Sequence, residues 1–398
     1  MIIAGSFREF RGRANMKKIS DKKMLILKIV ILILAAAEII LNVTACSKKS
    51  KDSGKVEIVC TIFPEYDWAK ELVKGKEDKF NVTLLMGNGT DLHNFQPTSE
   101  DIMTISECDV FVYVGGESDT WVKDALKEAK NKNMKVIKLM DVLSGRVAEE
   151  ETVEGMQGDD DHDEAHGDDG DDDHEDAHDH DEAHGDDGDD DGDDHHDDAH
   201  GDDGDDDHDD VHGDDDHEEY DEHVWLSVRN AKIIVEALAK EISSVDKAKD
   251  DADAINENLN EYLKKLDELD GKYKEAVAEG NKNTVIFGDR FPFRYLVDDY
   301  NLDYYAAFSG CSAETEASFE TITFLAKKVD ETGVNVVLMI DGSDESIART
   351  IINSTNKKDR KILVMNSMQA VTKKDINAGS TYLDIMTENL GVLTEALK

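Results

Sequence analysis

Four residues have the types and settings that metal binding requires. His93 lies in the loop Gly87–Pro97 (GNGTDLHNFQP), just beyond a run that reads as a buried strand. His223 lies in Asp-Glu-His-Val-Trp, Asp289 in Ile-Phe-Gly-Asp-Arg and Asp341 in Leu-Met-Ile-Asp-Gly, the last two at strand ends. Open α/β sheets place their ligands at the carboxyl ends of strands. Two histidines from the first half of the chain and two carboxylates from the second can therefore meet across a cleft as a tetrahedral N₂O₂ set for Zn²⁺. Singly, each aspartate is more often a helix cap, so the constellation carries the reading. All three prolines, at 64, 97 and 292, fall in these strand-end loops, where a fixed φ stiffens the rim.

A second set of donors is of another kind. Between Gly158 and Glu222 there are 38 of the chain's 92 acidic residues and no Lys or Arg, so most of the net charge of −47 belongs to one segment. The unit His-Asp-Glu/Asp-Ala-His-Gly-Asp-Asp-Gly-Asp-Asp-Asp occupies 162–173, 180–191 and 196–207, with a truncated copy at 208–217. Histidines stand four residues apart in the pairs His162 and His166, His174 and His178, His180 and His184, His196 and His200, and His208 and His212. They are joined by His195 and His217. With almost no apolar residues, 158–222 is expected to be a disordered loop that binds several zinc ions weakly. The His-Glu-x-x-His pattern at His174–His178 and the calcium-loop-like Asp187–Gly192 are chance products of repetition, because both chemistries need a packed setting.

The chain opens with an export pattern. Residues 1–15 precede a second methionine; a basic stretch follows from Met16, then the nearly all-apolar Met24–Val43, then Val-Thr-Ala-Cys46-Ser. Lys28 and Glu38 interrupt the apolar run, and small residues before a cysteine fit the lipobox of bacterial lipoproteins better than a membrane span. Residues 1–46 are thus read as a signal peptide with Cys46 as lipidation site, and 47–54 as a tether. Export makes disulfides available, and Cys60 and Cys311, both at ligand-binding edges, are expected to pair.

The positioning elements follow from hydrophobic patterning. Lys55–Phe63, Phe80–Met86, Asp109–Gly115 and Met134–Asp141 read as buried strands, as do Asn283–Gly288, Leu302–Phe308, Val334–Ile340 and Lys361–Ser367. Helical stretches lie near Glu65–Lys74, Thr98–Glu107, Asp119–Asn131, Ser318–Thr332, Asp344–Ser354 and Ser380–Leu397, and Ser227–Gly280 is helical almost throughout, with a break near Ser243–Asp246. The expected fold is α/β: two (β/α)₄ lobes with mostly parallel sheets, joined by a long backbone helix, with the metal site between the lobes. The expected division is a first lobe at 55–157, the acidic loop at 158–222, the end of that lobe and the linking helix at 223–280, and a second lobe at 281–398.

The chain from about 55 to 398 resembles the zinc and manganese branch of metal-binding lipoproteins of bacterial ABC importers. The residues that carry the resemblance are Thr61–Trp68, Asp91-Leu-His93, His223–Ser227, Asn366–Gln369 and Gly379–Asn389. The resemblance implies an extracytoplasmic receptor, lipid-anchored to the membrane's outer face, that captures Zn²⁺ and delivers it to a permease and its ATPase. It implies no catalysis, a monomer and no nucleic-acid partner. His93 and His223 match the first two family ligands and Asp341 the fourth. At the third, where zinc members have His and manganese members Glu, this chain has Gly288, and Asp289, one residue on, is the expected substitute, with Glu314 and Glu316 next. Val228 stands where the family commonly has Pro. A manganese receptor is the alternative within the family, disfavoured by the histidine-rich loop; a secreted zinc hydrolase and a storage or adhesin lipoprotein are alternatives outside it.

Overall fold

The computed structural model describes residues 54–158, 219–312 and 314–398. The signal peptide, Cys46 and nearly all of the tether lie outside the described residues. So do the twelve histidines read as weak zinc sites: His162, His166, His174, His178, His180, His184, His195, His196, His200, His208, His212 and His217. Among the described residues no helix is long and apolar enough to cross a membrane.

Among the described residues, eight strands form two sheets of four. β1 (Val56–Cys60), β2 (Phe80–Leu84), β3 (Val110–Tyr113) and β4 (Lys135–Lys138) lie in the order β2-β1-β3-β4. β5 (Thr284–Phe291), β6 (Asp303–Ser309), β7 (Val336–Ile340) and β8 (Lys361–Met365) repeat it as β6-β5-β7-β8. Every pairing is parallel. Parallel sheets need helices on both faces, which explains why central strands such as VFVY and VVLMI are apolar throughout instead of alternating. In each sheet the chain reverses direction beside the first strand, so the loops after β1 and β3, and after β5 and β7, part and leave a crevice.

The two lobes share a core. The 28-residue helix Ala252–Glu279, about 42 Å long at 1.5 Å per residue, runs along both. Asn258 Nδ2 donates to Leu72 O (2.9 Å) in the first lobe, and the buried Tyr273 hydroxyl to Met386 O (2.7 Å) in the second. Tyr382, fully buried, sends its N–H to Asp67 Oδ2 (2.9 Å) and its hydroxyl to Trp225 O (2.8 Å), and packs edge-on against Trp68. The helix begins later than the pattern suggests. Residues Asp246–Asp251 form a 3₁₀ turn, pinned where the buried Asp251 carboxylate meets Lys76 (2.9 Å) and Lys79 (2.6 Å). The fourth strand also ends early, at Lys138, and Leu139–Val142 turns as a short helix.

One segment crosses between the lobes. Residues 147–157, assigned from the sequence to the 55–157 lobe, run along the second lobe. Ala148 N–H donates to the Tyr295 hydroxyl (3.1 Å), Gln157 N–H to Ala307 O (3.0 Å), and Gln157 Oε1 accepts from Ser318 N–H (2.7 Å). Gly155 sits at φ 82° against the Phe324 ring, where a Cβ would fall 2.1 Å from a ring carbon. Residues 148–150 also pair with 219–221, through Glu150 N–H to Glu219 O (2.7 Å) and Asp221 N–H to Ala148 O (3.0 Å).

The helix Phe63–Leu72 of the first lobe holds a buried carboxyl group that opposes folding when ionised. Glu65 Oε2 accepts from Thr61 N–H (2.8 Å), the Thr61 hydroxyl (3.1 Å) and Ile62 N–H (3.3 Å), while Oε1 is buried without a partner. Burial, and then the charge of Asp119, push its pKa up to about 8. A folded-state pKa above the unfolded value means that the folded protein binds more protons, so stability falls as pH rises from about 4.5 to 8. Glu65→Gln is expected to flatten this dependence and to raise stability at pH 8 by at least ~1 kcal/mol, measured by urea denaturation at pH 5 and pH 8.

Candidate metal centre

The centre is built from loops at the carboxyl ends of both sheets. His93 sits in the 3₁₀ turn Leu92–Asn94 after β2, whose cap Asp91 accepts His93 N–H through Oδ1 (3.1 Å). Its Nδ1 meets the Ser118 hydroxyl at 2.8 Å, and Ser118 N–H donates to Glu222 Oε1 (2.8 Å). His223, fully buried, is held twice by one oxygen: its N–H (2.8 Å) and its Nδ1–H (2.9 Å) both donate to Asp221 Oδ1. Each ring thus has Nδ1 engaged behind it and Nε2 turned toward the other ring, the hydrogen-bonded backing that orients metal-binding imidazoles.

The two Nε2 atoms face each other at 3.4 Å. Two nitrogens on a tetrahedral zinc, each about 2.0–2.1 Å from the ion, stand about 3.3–3.4 Å apart, so the spacing is already that of a bound pair. Burial, and then the neighbouring His223, lower the His93 pKa to about 4, which keeps the ring neutral and able to ligate at neutral pH.

The third candidate ligand comes from the second lobe: Cys311. The ligand atoms of His93, His223 and Cys311 all lie within 4.8 Å of one another. Cys311 follows β6 and its N–H donates to Glu150 Oε1 (3.0 Å) on the crossing segment. Gly310 lets the loop approach, since a Cβ there would meet the His223 ring at 3.1 Å and Phe291 O at 3.0 Å. Burial, then the carboxylates of Glu150, Asp221 and Glu222, push the Cys311 thiol far up, so it keeps its proton until a metal ion displaces it.

The expected Cys60–Cys311 disulfide is not formed. Cys60, Cys108 and Cys311 are free thiols: Cys60 is fully buried near Glu65 in the first lobe, whereas Cys311 lies beside His223. Strand ends at one edge suggested proximity, but the loop after β6 turns toward the histidines.

Asp289 and Asp341 border the same cleft, of about 650 Å³, together with Arg290, Glu314 and Cys311. Asp289 spends both oxygens on strand ends, accepting Arg290 N–H (2.8 Å) and Ile340 N–H (3.1 Å). Asp341 accepts Ser367 N–H (2.5 Å) and the Ser367 hydroxyl (2.8 Å), both on Oδ1. Across the cleft, Arg290 pairs with Asp91 (3.1 Å). The signal that could have found Cys311 is its own position: a thiol in a strand-end loop after a glycine, in a chain with three cysteines besides Cys46.

Fold and site together are those of a two-lobed α/β protein with a candidate metal centre. The family model for ZnuA, the periplasmic component A of zinc-uptake complexes, matches residues 58–396, and the chain belongs to that family. It is 27% identical over 364 residues to the zinc-binding lipoprotein AdcA of Streptococcus pneumoniae, covering 91% of this chain and 60% of that protein. The chain therefore spans about 60% of that relative's length. It is 26% identical over 366 residues to the high-affinity zinc uptake system protein ZnuA of Bacillus subtilis, covering 90% and 94% of the two chains. In structure it resembles the zinc-bound ZnuA-like domain of pneumococcal AdcA, with a TM-score of 0.58, 22% identity, and 86% and 99% of the two chains covered.

Because Asp221 fixes the ring of His223, Asp221→Asn is expected to weaken zinc binding about 10-fold without changing stoichiometry. Competition against a chromophoric chelator measures this.

Proposed function

We propose that this chain is the zinc-capturing receptor of an ABC importer, holding Zn²⁺ between His93, His223 and Cys311 and passing it to a permease driven by an ATPase. The observation that carries the reading is the convergence of two imidazole nitrogens and one thiol sulfur, from both lobes, within 4.8 Å. A thiolate with two imidazoles suits zinc and disfavours manganese, which prefers oxygen donors. An oxygen closes the set; of the two aspartates, Asp341 suits this role better, because its described hydrogen bonds all fall on one oxygen while Asp289 uses both. Arg290 and Asp91, paired across the cleft, help to hold the lobes at ligand distance.

In this reading Cys46 carries the lipid that keeps the receptor at the outer face of the membrane. The twelve histidines between His162 and His217 collect zinc weakly, in a segment that precedes His223 in the sequence.

The test is elemental analysis of purified protein after dialysis against a weak chelator. Protein lacking residues 158–217 is expected to retain about one zinc per chain. His93→Ala and Cys311→Ala in the full chain are expected to lose that ion, with affinity falling at least 100-fold. Loss of tight binding on deleting the segment, with the cleft variants unchanged, contradicts the proposal.

A further inference from the structure

One side chain occupies the lone pair that the metal must use. Gln369 follows β8 in the second lobe. It is delivered by a turn in which Met368, buried and not glycine, takes φ 65°, an unfavourable backbone held by Met368 N–H to Asn366 Oδ1 (2.7 Å). The Trp225 indole N–H donates to Ser367 O (2.9 Å) and pins the same turn against the first lobe. Gln369 Nε2 then stands 3.1 Å from His223 Nε2 and 3.2 Å from Asp91 Oδ1. His223 has given its Nδ1–H to Asp221, so its Nε2 offers a lone pair, and the Gln369 amide donates to it. Both partners of the amide are acceptors, which fixes its orientation. The Gln369 carbonyl oxygen, by contrast, is buried without a partner.

We infer that Gln369 is an exchange group for the metal: its amide and the ion compete for His223 Nε2, and its return to that nitrogen helps the ion to leave. This rests on the reading of His223 as a ligand. The hydrogen bond and the metal bond cannot coexist on one lone pair, so capture must displace the amide and release lets it back. The unpaired carbonyl makes the displaced position accessible, since leaving His223 frees an amide that is only half satisfied there. The amide's second bond, to Asp91, keeps it beside the centre, because Asp91 also caps the turn that carries His93 and pairs with Arg290. A neutral hydrogen bond shifts an equilibrium modestly, by a factor of roughly 3–10. That size suits tuning of a carrier that must both hold and surrender its cargo.

Gln369→Met tests this, since methionine nearly preserves volume but cannot donate. In the full chain, equilibrium competition with a chelator and stopped-flow release into excess chelator are measured for Zn²⁺ alone. The expected result is one tightly bound ion per chain, its affinity about 3–10-fold tighter than in the parent, and its release slowed by at least as much. Unchanged or weaker affinity, or faster release, overturns the inference. His223→Ala is measured alongside. If it loses tight binding while Gln369→Met matches the parent, only the exchange role fails; if it binds zinc like the parent, the ligand reading itself fails.

Discussion

An imidazole binds a metal only through a nitrogen with a lone pair, and the hydrogen bond from His223 Nδ1–H to Asp221 Oδ1 decides which nitrogen that is. Much of the centre depends on this contact. Asp221 is itself fixed by its neighbours: its carbonyl accepts the Tyr295 hydroxyl (2.7 Å) from the second lobe, and its N–H reaches Ala148 O (3.0 Å) on the crossing segment. That segment also holds Cys311 through Glu150. A single stretch, 148–150, thus places a first-lobe histidine and a second-lobe thiol against each other.

This arrangement is preorganised, which saves binding energy otherwise spent on ordering the site. The linking helix bonds to both lobes, Tyr382 and Trp225 tie the second lobe's last helix to the first lobe, and the His93–His223 spacing matches a bound pair. Tight preorganisation hinders release unless another group can take the ion's place, and the contact of Gln369 with His223 answers that need.

The fold was largely legible in the sequence because buried parallel strands leave uninterrupted apolar runs. All eight appear where those runs stand, and Tyr262, Leu266, Leu269 and Tyr273 mark the buried stripe of the linking helix. Short helices such as Arg294–Tyr300 escaped because seven residues give too few turns for a periodic signal. His93 and His223 were legible as candidate donors, for each stands in a polar loop beside a strand or helix start. Cys311 was legible only as a cysteine: its approach to the histidines depends on Gly310 and on Glu150, some 160 residues away, which no local pattern encodes. Asp289 and Asp341 have the right chemistry and the right edge of the sheet, but their hydrogen bonds to neighbouring strand ends are long-range as well. The crossing of 147–157 to the second lobe was hidden for the same reason, being a matter of pairing with β6 and Ser318.

The central claim is that sulfur belongs to the zinc coordination sphere. X-ray absorption at the zinc K-edge, on full-length protein loaded with one equivalent of Zn²⁺, reads this directly. The account predicts one sulfur at about 2.3 Å with two imidazole nitrogens at about 2.0–2.1 Å, the sulfur disappearing in Cys311→Ser. A shell of nitrogen and oxygen alone, identical in the parent and in Cys311→Ser, would contradict it.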